Sequence, residues 1–225
     1  MEKITDIVAE TTADGSTTLY IKRLDEHYHS VKGALTESQH IYRDCAFKYR
    51  ATGEPIRLLE IGFGTGLNAA VTAMAAGEGN PVHYISLEKY PLDTQLVERL
   101  GYQDIVDADI LEAIHNAPWN VPTVITPYFT LEKREADYLA DELPTDIDVV
   151  YFDAFAPEKQ PEMWSREAFE RLCRVLNDGA VLTTYCAKGN IRRLFAQLGL
   201  VVERLPGPVG GKREILRASK PIEAL

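Results

Sequence analysis

Leu59-Glu60-Ile61-Gly62-Phe63-Gly64-Thr65-Gly66-Leu67-Asn68 reads as an apolar strand running directly into a glycine turn that opens a helix. Three glycines at alternate positions let the backbone bend tightly and approach a ligand with no Cβ in the way. The helix that follows, predicted over Leu67–Ala76, presents unpaired N–H groups to the same turn. A strand, a glycine loop and a helix in this order are the first unit of an open α/β sheet.

The pattern continues downstream. Apolar runs at Ile56–Ile61, Val82–Leu87, Phe129–Glu135, Ile147–Phe152, Ala180–Cys186 and Val201–Leu205 alternate with helical spacing at Leu67–Ala76, Leu92–Leu100, Arg166–Leu176 and Ile191–Leu198. Continuous apolar strands between helices indicate a parallel sheet covered on both faces. Ser165 and Asn190 suit helix N-caps, and Gly179 and Gly199 suit helix ends. Glu214–Ala218 follows a proline- and glycine-rich turn and can return antiparallel to Val201–Leu205. The segment Gly101–Pro127 has helical spacing and no place in the alternation, so it reads as an insertion.

Upstream, Ile4–Thr12 and Ser16–Leu24 flank Asp14-Gly15 as a hairpin, and Thr36-Glu37-Ser38-Gln39 has the spacing of a capping box for a helix through about Tyr49. One domain over 1–225 is expected: an N-terminal hairpin and helix extension over 1–54, then a Rossmann-like core over 55–220 with a helical insertion near 101–127.

At 225 residues, with 45% hydrophobic and 26% charged residues, the composition is that of a globular protein with one substantial core. No apolar run approaches the roughly 20 residues that span a bilayer. The start, Met1-Glu2-Lys3-Ile4-Thr5-Asp6, has no basic leader and no apolar segment, so no export signal is expected. Three cysteines, Cys45, Cys173 and Cys186, have no paired metal spacing and suit buried thiols in a reducing cytoplasm. The net charge of −10 argues mildly against a nucleic-acid partner, yet Lys188, Arg192, Arg193, Lys212, Arg213 and Arg217 gather late in the chain.

Four strand ends carry acids: Glu60 opens the glycine loop, Glu88 follows the second strand, Asp137 the third and Asp153 the fourth. A dinucleotide enzyme would need G-x-G-x-x-G, but Leu67 stands where the third glycine belongs. An acid at the loop also repels pyrophosphate, whereas it suits a ligand carrying a sulfonium and an ammonium group. The carboxylate of Glu88 can accept hydrogen bonds from a ribose diol. Together these features point to S-adenosylmethionine.

The fourth strand ends Tyr151-Phe152-Asp153-Ala154-Phe155-Ala156-Pro157, similar to the Asp/Asn-Pro-Pro-aromatic turn of amine methyltransferases. A methyl on sulfur is already activated, so the enzyme must chiefly hold a neutral amine in line with it. Asp153 is the candidate to accept the amine N–H bonds and aim the lone pair. Phe155 can stack on a base or pack.

Beyond these, His27-Tyr28-His29-Ser30-Val31-Lys32-Gly33-Ala34-Leu35-Thr36-Glu37-Ser38, the glycine loop, Asp153-Ala154-Phe155-Ala156-Pro157-Glu158-Lys159-Gln160-Pro161-Glu162-Met163-Trp164, Thr184-Tyr185-Cys186-Ala187-Lys188-Gly189 and Gly211-Lys212-Arg213-Glu214 carry a family likeness. The chain resembles the tRNA 5-aminomethyl-2-thiouridine methyltransferases, which complete the 5-methylaminomethyl group on a wobble uridine. In many bacteria this activity is the amino-terminal half of a bifunctional enzyme whose other half is a flavin-dependent oxidase. The oxidase half is expected to be absent, as in a stand-alone form. The resemblance implies a class I S-adenosylmethionine-dependent methyltransferase fold, with seven mostly parallel strands, the last antiparallel. It implies cofactor contacts at Glu60, Gly62, Phe63, Gly64, Gly66, Asn68, Glu88 and Asp137, and the reacting amine near Asp153. A cytoplasmic enzyme acting on the tRNA anticodon loop, with no membrane and no obligate protein partner, is expected. Ala136 departs from the Gly-Asp expected before Asp137.

Lys188, Arg192 and Arg193 are expected RNA contacts because they follow a strand whose end should face the site, and so are Lys212 and Arg213, in a glycine-rich loop with free backbone donors. His27 and His29 lack a third ligand, so no metal is expected and a substrate contact or loop packing is the alternative. Trp119 and Trp164 read as packing anchors. A methyltransferase of another small amine or protein, or a non-catalytic RNA-binding scaffold, are the competing functions.

Overall fold

A computed structural model describes residues 6–222. Three strands, β1 (Ile7–Thr11), β2 (Thr17–Ile21) and β3 (Glu26–His27), form a small antiparallel sheet. The predicted hairpin is there, turning at Asp14-Gly15 with Gly15 at φ 83, where the absence of a Cβ is needed. Ile4 and Thr5, which belong to the first strand expected from sequence, lie outside the described residues, as does the start of the chain read for a leader. The third strand, in a stretch that reads as irregular, pairs Tyr20 with His27 and Ile21 with Glu26.

A helix begins at α1 (Ala34–Glu37), winds through a π-helical stretch at Ser38–Phe47 and closes as α2 (Lys48–Arg50). The capping box expected at Thr36 does not form. The helix opens after Gly33, and its free N–H groups are met by the hairpin turn instead. Ser16 Oγ accepts from Ala34 N at 3.0 Å and Leu35 N at 3.2 Å, and Asp14 Oδ2 accepts from Thr36 N at 2.9 Å. Glu37, in the same first turn, points inward and accepts from Ser30 N. Ser16→Ala should therefore lower stability by about 0.5–2 kcal/mol, as removal of an N-cap does. A urea titration should show a lower midpoint with an unchanged slope.

The remaining elements alternate: β4 (Ile56–Ile61), α3 (Leu67–Ala73), β5 (Val82–Glu88), α4 (Thr94–Glu98), α5 (Ala108–Asn116), β6 (Thr123–Thr126), β7 (Phe129–Glu135), β8 (Ile147–Phe152), α6 (Arg166–Val175), β9 (Leu176–Thr184), α7 (Gly189–Gln197), β10 (Val201–Pro206) and β11 (Glu214–Ser219). They build one sheet in the order β10-β11-β9-β8-β4-β5-β7-β6. Strands β9, β8, β4, β5 and β7 are parallel, and β11 runs antiparallel between β10 and β9. This is the expected class I methyltransferase sheet with an eighth strand added: β6 pairs antiparallel with β7 on the open edge.

The segment that reads as a helical insertion thus supplies both a helix and an edge strand. Its helix α5 is capped by Asp107, which accepts from Ile110 N, and it buries Leu111 and Ile114. Ser165 caps α6 as expected, accepting from Ala168 N, whereas α7 starts after Lys188 with no side-chain cap, so Asn190 is not its N-cap. Gly199, at φ 84, follows α7 as predicted. Gly179 lies inside β9 instead of ending a helix, because the chain passes from α6 into the strand at Leu176.

Strand alternation divides the core into two layers. Leu58, Tyr84, Leu131, Val149 and Tyr151 face Tyr42, Leu67, Val71 and Ile114 on one side. Leu59, Ile61, Ile85, Val150, Phe152 and Leu182 face Phe169, Leu172, Ile191 and Phe195 on the other. With both faces covered, only the strand ends are free to meet a ligand.

Candidate active site

Strand order switches at β4, with β5 and β7 built out on one side and, after the return from β7, β8 and β9 on the other, so a crevice opens beyond the carboxyl ends of β4 and β8. The glycine loop lines it. Gly62, Gly64 and Gly66 all have positive φ, at 94, 50 and 79. A Cβ on Gly62 would stand 2.9 Å from the Asp153 carbonyl oxygen, so this glycine lets the loop lie against the end of β8.

The crevice spans about 820 Å³ of empty space, part of it open solvent. Its wall includes Gly62, Phe63, Gly64, Glu88, Asp137, Asp153 and Phe155. Glu88 is half-buried; Oε2 accepts from Gly64 N at 3.1 Å and Oε1 from Tyr90 N at 2.8 Å. Burial raises its carboxyl above the ordinary value, against the pull of those N–H bonds. Asp137 accepts from Leu139 N and pairs with Lys89 at 2.6 Å. Burial opposes ionisation of Asp137, but the bonds from Lys89 and Leu139 N, with the charges of Lys89 and Arg171, together outweigh it and hold the carboxyl below its usual range.

A second cleft, of about 710 Å³, adjoins the first and is lined by Glu26, Glu37, Tyr185 and Lys212 together with Tyr28 and Asp153. Asp153 belongs to both walls. Its Oδ1 accepts from Tyr42 Oη at 2.5 Å and its Oδ2 from Asn68 Nδ2 at 2.9 Å. Burial pushes the Asp153 carboxyl up to about 7, with Glu37 adding to the shift and the two hydrogen bonds opposing it. Phe155 also lines both clefts and meets Tyr28 edge-on at 5.2 Å between ring centres.

Three residues expected against the cofactor do not line the first cleft. Glu60 is fully buried and turned to the α3 face of β4, because strand alternation sends Leu59 and Ile61 to the other face, under α6 and α7. Its Oε2 accepts from Ser86 Oγ at 2.6 Å. Asn68, in the first turn of α3, stands behind Asp153 and holds it. Gly66 sits at the entry to α3, its Cα side closed off by the Phe63 ring and His115.

The expected cations divide. The ammonium of Lys212 lies over the Tyr185 ring, 3.4 Å from its centre, at the second cleft. Arg192 and Arg193, on the first turn of α7, and Arg213 are exposed. Lys188 is exposed but ion-paired with Glu158. Arg217 is taken up in the fold, paired with Glu203 and lying on the Tyr49 ring.

Neither histidine of the N-terminal pair turns to a shared centre. His27 Nε2 meets Glu10 at 3.0 Å, and buried His29 Nε2 meets Thr65 Oγ1 at 2.7 Å. Burial pushes His29 down to about 4, which keeps it neutral at pH 7. Among the described residues no three His, Cys, Asp or Glu side chains gather as a metal site. Trp119 packs edge-on against Phe63, under the ammonium of Lys133, and Trp164 packs on Phe152.

Sequence reading misses Tyr42, Glu37 and Tyr185. Tyr42 sits mid-helix with no motif to mark it, and Glu37 stands inside the apparent capping box. Tyr185 directly follows β9, and its position at a strand end is the one available signal.

Residues 130–221 match a family described as S-adenosyl-L-methionine-dependent methyltransferase. The chain is 31% identical to a tRNA 5-methylaminomethyl-2-thiouridine biosynthesis bifunctional protein MnmC of Ralstonia nicotianae, over 91% of this chain and 33% of that protein. It is 32% identical to the MnmC of Pseudomonas fluorescens, over 86% of this chain and 32% of that one. The chain therefore spans about a third of the length of these relatives. Among solved structures it superposes on MnmC2 from Aquifex aeolicus with a TM-score of 0.72 and 26% identity, covering 97% of this chain and 72% of that one. A likeness to spermidine synthase from Thermotoga maritima, with a TM-score of 0.60, 14% identity and coverage of 96% and 70%, extends to the fold.

Proposed function

We propose, because this chain belongs to the MnmC methyltransferase family, that it transfers a methyl group from S-adenosylmethionine to the 5-aminomethyl group of a wobble uridine in tRNA. The observation that carries the proposal is Asp153 on the wall shared by two clefts. One cleft would take the methyl donor and the other the amine, with the carboxylate at the boundary where they react.

The first cleft fits the donor. Its glycine loop leaves no room for a Cβ at Gly64, which would stand 3.0 Å from the Tyr28 ring on the same wall. Gly62, Phe63 and Gly64 would lie along the ligand, with Gly66 keeping the turn tight behind them. Glu88 would accept from the ribose hydroxyls, and Asp137 would face the base or its amine. Bound there, S-adenosylmethionine supplies a methyl already activated on sulfur.

The protein's task is to orient and deprotonate the acceptor. A primary alkylamine reaches the site as an ammonium ion. The Asp153 carboxylate accepts one of its protons, leaving a neutral nitrogen whose lone pair can face the methyl. Tyr42 and Asn68 hold the carboxylate while this happens. The product, a secondary ammonium ion, carries the charge away. Phe155 and Tyr28 form an aromatic wall against which the base can stack.

Arg192, Arg193, Lys212, Arg213 and, once released from Glu158, Lys188 would meet the phosphates of the anticodon loop. A wobble base is already single-stranded, so affinity should come mainly from these phosphate contacts despite the net charge of −10. Reversing Arg192 and Arg193 together should raise the Michaelis constant for tRNA. It should also flatten the slope of log affinity against log salt by about 0.7 for each phosphate left without its cation. An unchanged slope would move the RNA to another face. No helix among the described residues is long and apolar enough to cross a membrane, and the proposed substrate puts the protein in the cytoplasm. The function itself is tested by labelled methyl transfer to tRNA bearing the unmethylated 5-aminomethyl group. Label should appear in that nucleoside alone, and label on protein or on free amines would favour the alternative acceptors.

A further inference from the structure

Strand β7 carries a lysine in an apolar row. Its alternation turns Phe129, Leu131 and Lys133 to one face, toward α5, and Lys133 is 2% exposed there. A charge at that depth is costly unless it is hydrogen-bonded. The Lys133 ammonium donates to Ile114 O at 2.9 Å and to His115 O at 3.0 Å. Both carbonyls lie in the last turn of α5, where the helix leaves them without partners of its own and its dipole favours a cation. Two rings also meet the ammonium, Trp119 with its centre at 5.1 Å and Phe63 with its centre at 5.5 Å.

These neighbours lead to the glycine loop. Phe63 belongs to the loop and to the wall of the first cleft, and Trp119 packs edge-on against it, 5.6 Å between ring centres. His115 offers Lys133 its carbonyl and the loop its ring, for Nε2 donates to Thr65 O at 3.1 Å. A carbonyl can only accept, so Nε2 is the protonated nitrogen. The Phe63 and His115 side chains then close on Gly66, where a Cβ would stand 3.0 Å from the first and 3.2 Å from the second. One buried ammonium thus ties the inserted helix to the loop at Phe63 and again at Thr65. Lys133 itself lines neither cleft.

We propose that Lys133 is a positioning residue for the methyl donor: its ammonium gathers the end of α5 and the Phe63 ring, and through His115 it holds the Thr65 carbonyl, so that the glycine loop keeps the shape S-adenosylmethionine needs. The inference rests on placing the donor in the first cleft. The charge is the working part, because a neutral amine would lose its attraction to the helix end and to both rings. Among the described residues, His115 is the titratable group that acts with Lys133, from α5. Phe63, Trp119 and the cross-strand neighbour Ser86 on β5 carry no charge. Burial pushes Lys133 down to about 8. The ammonium is therefore present at pH 7 and lost as the pH rises through about 8, and donor affinity should fall with it.

Calorimetric titration of the full chain with S-adenosylmethionine tests this. Lys133→Met keeps the side-chain length without the charge, and it should bind about tenfold more weakly than wild type at pH 7. Between about pH 7 and pH 9 the two dissociation constants should converge, because wild type then gives up the same charge. Titration of the ligand's own amino group is common to both proteins and cancels in the ratio. His115→Ala should weaken binding as well, and the double variant should bind no more weakly than the weaker single one, since the second change breaks a link already broken. A lysine that only fills space would give additive losses and a ratio independent of pH. Equal affinity of Lys133→Met and wild type at pH 7, or a ratio that stays constant to pH 9, would overturn the proposal. If Lys133→Met does not fold, unchanged affinity in His115→Ala overturns it instead. Glu88→Ala keeps the two readings apart. Full affinity in that variant would move the donor out of the first cleft, whereas impaired Glu88→Ala beside unimpaired Lys133→Met would strike Lys133 alone.

Discussion

Replacing Asp153 with alanine is expected to lower kcat on undermodified tRNA by about 10²–10⁴-fold, the usual range for losing a positioned acid–base group, while affinity for S-adenosylmethionine stays nearly constant. The carboxylate is fixed by Tyr42 and Asn68 on either oxygen, and it stands at the seam between the clefts, so its removal strikes the reacting geometry before the binding surface. The same residue sets the pH dependence. Burial, with Glu37 beside it, lifts Asp153 to about 7. Only the ionised form can take a proton from the ammonium, so kcat/KM should rise with pH through about 7 in the wild type. Deprotonation of the amine itself works in the same direction, but it continues to higher pH. Turnover of Asp153→Ala within twofold of wild type would remove this carboxylate from the reaction.

Glu88→Ala should weaken S-adenosylmethionine binding by roughly 10- to 150-fold, the equivalent of about 1.5–3 kcal/mol for a charged hydrogen-bond partner. Two effects combine at this position. The ribose would lose its acceptor, and Gly64 N would lose the carboxylate that holds the glycine loop to the end of β5. Glu88→Gln separates them, because an amide oxygen can still accept from Gly64 N while the negative charge is gone. Calorimetric titration of both variants is the measurement. An unchanged dissociation constant in Glu88→Ala would take the ribose away from this strand end.

The sheet is legible in the sequence because its strands are buried on both faces and so appear as unbroken apolar runs, as Ile147–Phe152 does. The glycine loop is legible because the backbone there has a demand that glycine meets best. The edge strand Thr123–Thr126 is hidden: it is short, lies between Pro122 and Pro127, and follows the strong helical period of Leu111 and Ile114. The frame of the acidic site is visible, since Glu88, Asp137 and Asp153 stand at strand ends. Its inner supports are not. Tyr42 reaches Asp153 across 111 positions in the chain, and no local pattern announces a contact of that range. Glu60 shows the opposite case. Its facing is readable from the strand's period of two, but the loop motif draws attention to its position and away from its direction. Thr36 misleads because the capping pattern fits its spacing, whereas the helix starts two residues earlier, at Ala34, and its first donors are met by Ser16 and Asp14 from the hairpin.

The central claim is that this chain methylates the 5-aminomethyl group of a wobble uridine, and mass spectrometry of wobble nucleosides from cells with and without its gene tests it most directly. Cells lacking the gene should accumulate the 5-aminomethyl nucleoside and lose its 5-methylaminomethyl product. Wild-type protein should restore the methylated form, and Asp153→Ala should not. Identical wobble nucleosides in the two strains, with the methylated form still present, would contradict the assignment.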